Sequence, residues 1–158
     1  MKQPIEILHK ELEDLKDDLI RRYEELGMKA SGAWGQSLQV QTDEAAGLLK
    51  GTISGEGYTY YMQHGRKAGN LPPIAAIEQW IRARGIQPIE KKMKVSGLAW
   101  AIAKKIAREG TKRSRNEDKP AFIDEVITGE RVQEIINKVG DGYIGAFTSE
   151  IINFLKRF

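Results

Sequence analysis

YTYYMQHGRKAGNLPPIAAIEQWIRARG, residues Tyr58–Gly85, joins three kinds of local pattern in one stretch. Tyr58-Thr59-Tyr60-Tyr61-Met62 reads as an aromatic strand-like run. It breaks at Gly65 into a basic turn, Gly65-Arg66-Lys67-Ala68-Gly69-Asn70. A helix restarts after Pro72-Pro73, because proline tolerates a first helical turn where its missing N–H has no partner. Ile74, Ile77, Trp80 and Ile81 recur at helical spacing and predict one apolar stripe, ended by Gly85.

Upstream, Pro4 to about Gly27 predicts a long helix. Ile5, Leu8, Leu12, Leu15, Leu19 and Leu26 follow alternating three- and four-residue steps, with Arg22 at the skipped position. This is a heptad seam on an otherwise charged helix, so it packs either on its own domain or on a neighbouring subunit. Trp34 falls in a loop flanked by Gly32 and Gly35. Leu38, Val40 and Thr42 alternate with polar residues as a half-buried strand, Asp43-Glu44 predicts the turn, and Gly47–Ser54 returns with Leu49, Gly51 and Ile53 on one face.

Downstream, Lys91, Lys92 and Lys94 mark a basic connector, and Ser96 is the expected N-cap of a helix over Gly97–Glu109. Its Leu98, Ala99, Ile102 and Ile106 face inward and Lys104, Lys105 and Arg108 outward, with Gly110 as the stop. Thr111–Lys119 holds no apolar residue and is expected to be solvated and mobile, with Lys112, Arg113 and Arg115 as candidate contacts to a partner. Phe122-Ile123 should re-enter the core. Thr128 is placed to cap a helix to about Val139, Gly140 and Gly142 to interrupt it, and Tyr143, Ile144, Phe147, Ile151, Phe154 and Leu155 to mark a final helix. The expected fold class is therefore α+β: one domain over 1–158, with an N-terminal helix at 4–27, a small, mostly antiparallel sheet-and-helix core at 37–123 and C-terminal helices at 128–158.

Composition sets limits on chemistry. A chain of 158 residues with 41% hydrophobic and 30% charged residues is ordinary for a water-soluble domain. The absence of cysteine excludes disulfides, thiol catalysis and cysteine-ligated metals. A net charge of +3 does not by itself mark a nucleic-acid binder. No apolar run approaches the ~20 residues of a membrane span, and no secretory signal is visible after Met1. Of the two histidines, His9 lies on the polar, solvated side of the first helix, and His64 has no carboxylate or serine at motif spacing; a lone histidine is rarely catalytic. Gly65–Asn70 has the look of a phosphate loop but lacks the Gly-Lys-Ser/Thr ending. Neither an enzymatic role, a metal nor a cofactor is called for.

Tyr60-Tyr61 through His64-Gly65, followed by Pro72-Pro73, Ile77 and Trp80, resemble the aromatic–glycine turn and following helix of bacteriophage tail-completion proteins, the head–tail joining or neck family. Gly110–Ile123, GTKRSRNEDKPAFI, resembles that family's glycine, charged loop and Pro-x-Phe, here Pro120 and Phe122. The order of elements matches from about Ile5 to the C-terminus; the heptad-like first helix and extra last helix depart from the commoner pattern. The resemblance implies a virion protein assembled in the bacterial cytoplasm. It would form a cyclic ring that meets portal or adaptor and tail proteins and surrounds DNA without sequence readout. The basic residues Lys91, Lys92, Lys94, Lys104, Lys105, Arg108, Lys112, Arg113 and Arg115 leave a DNA-binding accessory protein as the alternative.

Overall fold

The computed structural model describes residues 3–115, 117 and 121–157. Its helices are α1 (Pro4–Glu25), α2 (Ala33–Ser37), α3 (Thr59–His64), α4 (Ile74–Ala83), α5 (Val95–Glu109), α6 (Phe122–Val126) and α7 (Gly129–Leu155), with a 3₁₀ turn at Arg113–Arg115. The strands β1 (Gln39–Ala45) and β2 (Leu48–Ser54) form an antiparallel hairpin. The expected α+β class holds, with a sheet of two strands among the described residues. The chain resolves into two compact units. One comprises Met1–Arg22, Leu38–Gly55 and Ile123–Phe158, the other Tyr23–Ser37 and Glu56–Phe122.

In the first unit α1 lies against its own hairpin, through its seam, and against α7, through Ile7 and Glu11. Leu15 and Leu19 are buried, while Ile5, Leu8 and Leu12 are half-buried. Leu8 and Leu12 pass so close over Gly51 of β2 that a Cβ there would collide with Leu12 Cδ1 and stand 3.2 Å from Leu8 Cδ2. Arg22 occupies the skipped seam position because its guanidinium reaches Glu125 of α6, its Nε donating at 2.7 Å. Glu11, buried on the same helix, accepts from Lys138 Nζ at 2.9 Å and from Arg131 Nη1 at 3.2 Å, both on α7.

The hairpin turn falls later than expected. Asp43 and Glu44 are strand residues, paired with Lys50 and Leu49, and the turn is Ala46-Gly47. Both have positive φ, 51° and 76°, the geometry of the two-residue turn whose twist matches its strands. Asp43 opposite Lys50 is a favourable cross-strand charge pair, which a turn at that point would have lost. The alternation itself stands: Val40 and Thr42 are half-buried beside exposed Gln39 and Gln41, and Leu49 and Ile53 are half-buried on β2.

The C-terminal segment is one helix, not two. α7 runs unbroken from Gly129 to Leu155, through Gly140 and Gly142. A glycine inside a helix costs about 1 kcal/mol relative to alanine. At Gly142 the packing is close, since a Cβ would sit 2.5 Å from Ile7 Cδ1 of α1 and that methyl would have to move aside. Thr128 caps the start as expected, its Oγ1 accepting from Arg131 N at 3.1 Å.

The second unit is built on an aromatic cluster. Trp34 and Phe122 meet edge-to-face at 5.4 Å between ring centres, and Tyr23 lies 4.7 Å from Trp34 and 6.4 Å from Phe122. Trp34 sits in α2, where a loop was expected, and its Nε1 donates to Thr59 Oγ1 at 2.9 Å. A buried indole needs that partner, so the bond fixes α2 against α3. Phe122 does re-enter the core; Pro120 lies outside the described residues. Ala99 and Ala103 of α5 are fully buried, small enough for α4 to approach closely, and Ile81 of α4 is fully buried too.

Two local expectations are corrected here. Tyr58–Met62 is not a strand: Tyr58 has αR geometry and accepts from Tyr61 N at 3.0 Å and Met62 N at 3.1 Å. Burial follows Thr59, Met62 and Gln63 at helical spacing, leaving Tyr58, Tyr60 and Tyr61 exposed. The β preference of aromatics reflects packing on a pleated surface, and tertiary context overrides it. Ser96 is not the cap of α5, which begins at Val95 with extended Lys94 preceding it. The carbonyl of Lys94 already accepts from Leu98 N at 3.1 Å, placing Ser96 inside the first turn.

Candidate functional site

Two glycines that end helices lock the family-like turn to the charged loop. Gly65 closes α3 with φ 74°, ψ −178°, and Gly110 closes α5 with φ 73°, ψ 179°, a conformation open in practice to glycine alone. They bring Arg66 and Thr111 together: Thr111 N donates to Arg66 O at 2.9 Å, and Arg66 N donates to Thr111 Oγ1 at 3.0 Å. Gly69 N donates to Ala107 O at 2.8 Å. A Cβ on Gly65 would collide with Thr111 Oγ1 and stand 2.5 Å from Ser114 N; one on Gly110 would stand 3.0 Å from Ala68 N and Arg66 O. The amides of Gly65, Arg66 and Gly69 are thus spent on the chain itself.

In the charged loop Lys112, Arg115 and Glu117 are exposed, and several of the described residues are hydrogen-bonded within the chain. Arg113–Arg115 forms a 3₁₀ turn, and Arg115 Nη1 donates to Glu109 O and Gly110 O at 3.0 Å. Arg115 Nε and Nη2 grip both oxygens of Glu117 at 2.7 and 2.9 Å. That bond raises the Arg115 pKa and lowers that of Glu117, and the bond from Arg108 lowers that of Glu109. Of the three candidate contact residues, Lys112 is exposed, Arg113 half-buried and Arg115 exposed but engaged. The polar composition hid this, because its partners are backbone carbonyls rather than apolar neighbours.

His64 is exposed, with its ring 4.7 Å from Tyr60, and Arg66 lies 5.1 Å over the Tyr61 ring. Tyr60, Tyr61, His64 and Arg66 line one shallow basic-aromatic depression of about 310 Å³. No group of three or more His, Asp or Glu among the described residues could hold a metal, and no helix among them is long and apolar enough to cross a membrane. His9 lies 3.9 Å from Glu13 and 3.5 Å from Thr42 on an exposed part of α1.

Trp80 is the family-like residue that the stripe misplaces. Ile74 and Ile77 are half-buried and Ile81 fully buried, but Trp80 is 40% exposed and opens onto a groove of about 640 Å³. Tyr23, Met28, Trp34, Met62 and Ala76 line it with Trp80, and Arg84 is the charged residue on its wall. Arg84 sits 5.9 Å over the Trp80 ring and donates to Gly27 O at 2.7 Å. The sequence carried a trace of this groove in Trp34 and its flanking glycines, but nothing linked them to Met28 or Ala76.

The other unexplained surface is the C-terminal half of α7. Ile144 is 66% exposed, Phe147 65%, Phe154 58% and Leu155 64%, with Tyr143 and Ile151 also exposed. At 3.6 residues per turn these six share one stripe. Comparisons with models of protein families, with curated proteins and with solved structures return no match.

On α5, Lys104, Lys105 and Arg108 are exposed as expected, and Lys104 Nζ lies 6.0 Å over the exposed Trp100 ring. Lys91, Lys92 and Lys94 are exposed on the connector before it.

Proposed function

We propose that this chain is a structural subunit of a tailed bacteriophage. It is one copy of a cyclic ring in the neck or at the upper end of the tail, joining portal or adaptor to tail around the DNA channel. Its mechanism is assembly, with no bond chemistry. The observation that carries this reading is the exposed apolar stripe on the last half of α7. Monomeric proteins rarely leave so much contiguous apolar surface in water, and such patches mark interaction sites. The order of the Tyr60–Gly65, Pro72–Trp80 and Gly110–Phe122 motifs supplies the kind of assembly. Removing the gene from its phage tests it: DNA-filled heads and separate, unjoined tails are expected, and normal joined particles would reject the reading.

The exposed cations of α5 beside Trp100 favour a second reading, a DNA-binding accessory protein. Cations and an aromatic face on one surface suit phosphate contact with stacking. Binding of the free chain to DNA with a steep salt dependence, together with its absence from virions, would select this alternative.

A further inference from the structure

The molecule carries an open apolar groove and, separately, an apolar helix stripe of the spacing that fills such grooves. Ile144, Phe147, Ile151 and Phe154 stand at steps of three, four and three, the anchor pattern of a helix laid into a groove. We propose that the C-terminal half of α7 docks into the Trp80 groove of a second copy of this chain. The proposal rests on the ring reading above and gives that ring its contact.

Size and charge both point to a second copy as the occupant. At ~150–250 Å² for a large side chain, Tyr143, Ile144, Phe147, Ile151, Phe154 and Leu155 expose on the order of 600 Å². That reaches the lower end of what one partner contributes to a specific interface, roughly half of 1,200–2,000 Å². Between Gly142 and Leu155 the sequence has one charge, Glu150, which lies beside Phe147, Ile151 and Phe154. The groove wall offers one charge of the opposite sign, Arg84. Stripe and groove are different surfaces, so the contact is heterologous. Repeated from copy to copy, it closes into a ring or runs on as a filament.

Complementation between two assembly-blocked variants tests this. Phe147→Ser/Phe154→Ser removes the stripe, and Ala76→Arg fills the groove from an exposed helix position; wild-type far-UV circular dichroism confirms that each is folded. Each variant alone should sediment as a monomer, and their equimolar mixture should form a two-chain species, because one intact stripe still meets one intact groove. In a second arm, Glu150→Arg should weaken assembly about tenfold and Arg84→Glu in the same chain should restore it. The proposal is overturned if the mixture stays monomeric, if either variant assembles as the wild type does, or if the charge swap fails to restore. It is also overturned by a wild-type chain that stays monomeric at about 100 μM, above the micromolar-to-picomolar range of interfaces near this size. Any of these leaves the neck-ring reading standing, since that is tested by the phage lacking the gene.

Discussion

Gly65→Ala perturbs the point where the family-like turn and the charged loop are joined. The residue holds φ 74° with ψ −178°, and an alanine forced into that region is strained by about 1–3 kcal/mol. The new methyl would also meet Thr111 Oγ1 and stand 2.5 Å from Ser114 N, a backbone atom that cannot rotate aside. Relief requires the loop to withdraw, which loses the two hydrogen bonds between Arg66 and Thr111, each worth roughly 1 kcal/mol. The total is about 3–5 kcal/mol. If the loss is global, the melting temperature should fall by about 6–20 °C for a chain of this size. If the loop opens locally, trypsin should cut after Lys112 at least on the order of a hundred times faster at an unchanged melting temperature. Gly140→Ala is the control: nothing lies within 4 Å of its Cβ position, and a helix-interior alanine should stabilise by up to about 1 kcal/mol. A Gly65→Ala protein with wild-type melting and wild-type cleavage would refute the lock.

Phe122→Ala removes a fully buried ring from the cluster with Trp34 and Tyr23 and should cost about 3–5 kcal/mol, read from urea denaturation. Glu11→Ala leaves Lys138 and Arg131 without their shared acceptor; both cations still reach water, so a loss of about 1–3 kcal/mol is expected. Glu11→Leu should cost less, because it fills the site without a charge to desolvate. The Asp14 carboxylate is held below its ordinary pKa by the hydrogen bond from Lys10, as Glu117 is by Arg115. A lowered folded-state pKa adds stability that is present above the unfolded value, about 4, and is lost as pH falls through the folded value. Melting temperature should therefore decline below about pH 4, and Asp14→Asn should remove a small part of that decline, the group being exposed.

Much of the fold could be read because local chemistry and long-range packing agreed. Thr128 caps, Gly27 and Gly110 end helices, and the alternation through Val40 and Thr42 gives a half-buried strand. What escaped depended on partners distant in sequence. Gly140 and Gly142 have the look of a break, yet Gly142 is a crossing point for Ile7 of α1. Tyr58–Met62 carries β-forming residues, but a short helix leaves its tyrosines in water and turns Thr59 toward the Trp34 indole. Ala46 is an uncommon residue at positive φ, whereas Asp43 is a common turn former, so local preference points to the wrong pair. Of the candidate surfaces, Leu8 and Leu12 of the seam lie over Gly51 in their own unit, Lys112 and Arg115 of the loop are exposed with Arg115 hydrogen-bonded, and Trp80 turns to a groove. The last-helix residues were visible as apolar, but their exposure depends on what the rest of the chain leaves uncovered.

The neck-ring reading is met most directly by cryo-electron microscopy of the phage whose genome encodes this chain. A closed ring is expected between portal and tail tube, its repeating density accepting both compact units, with α7 of each copy seated beside Trp80 of the next. Purified, infectious virions with no copy of this chain at the head–tail junction would contradict it.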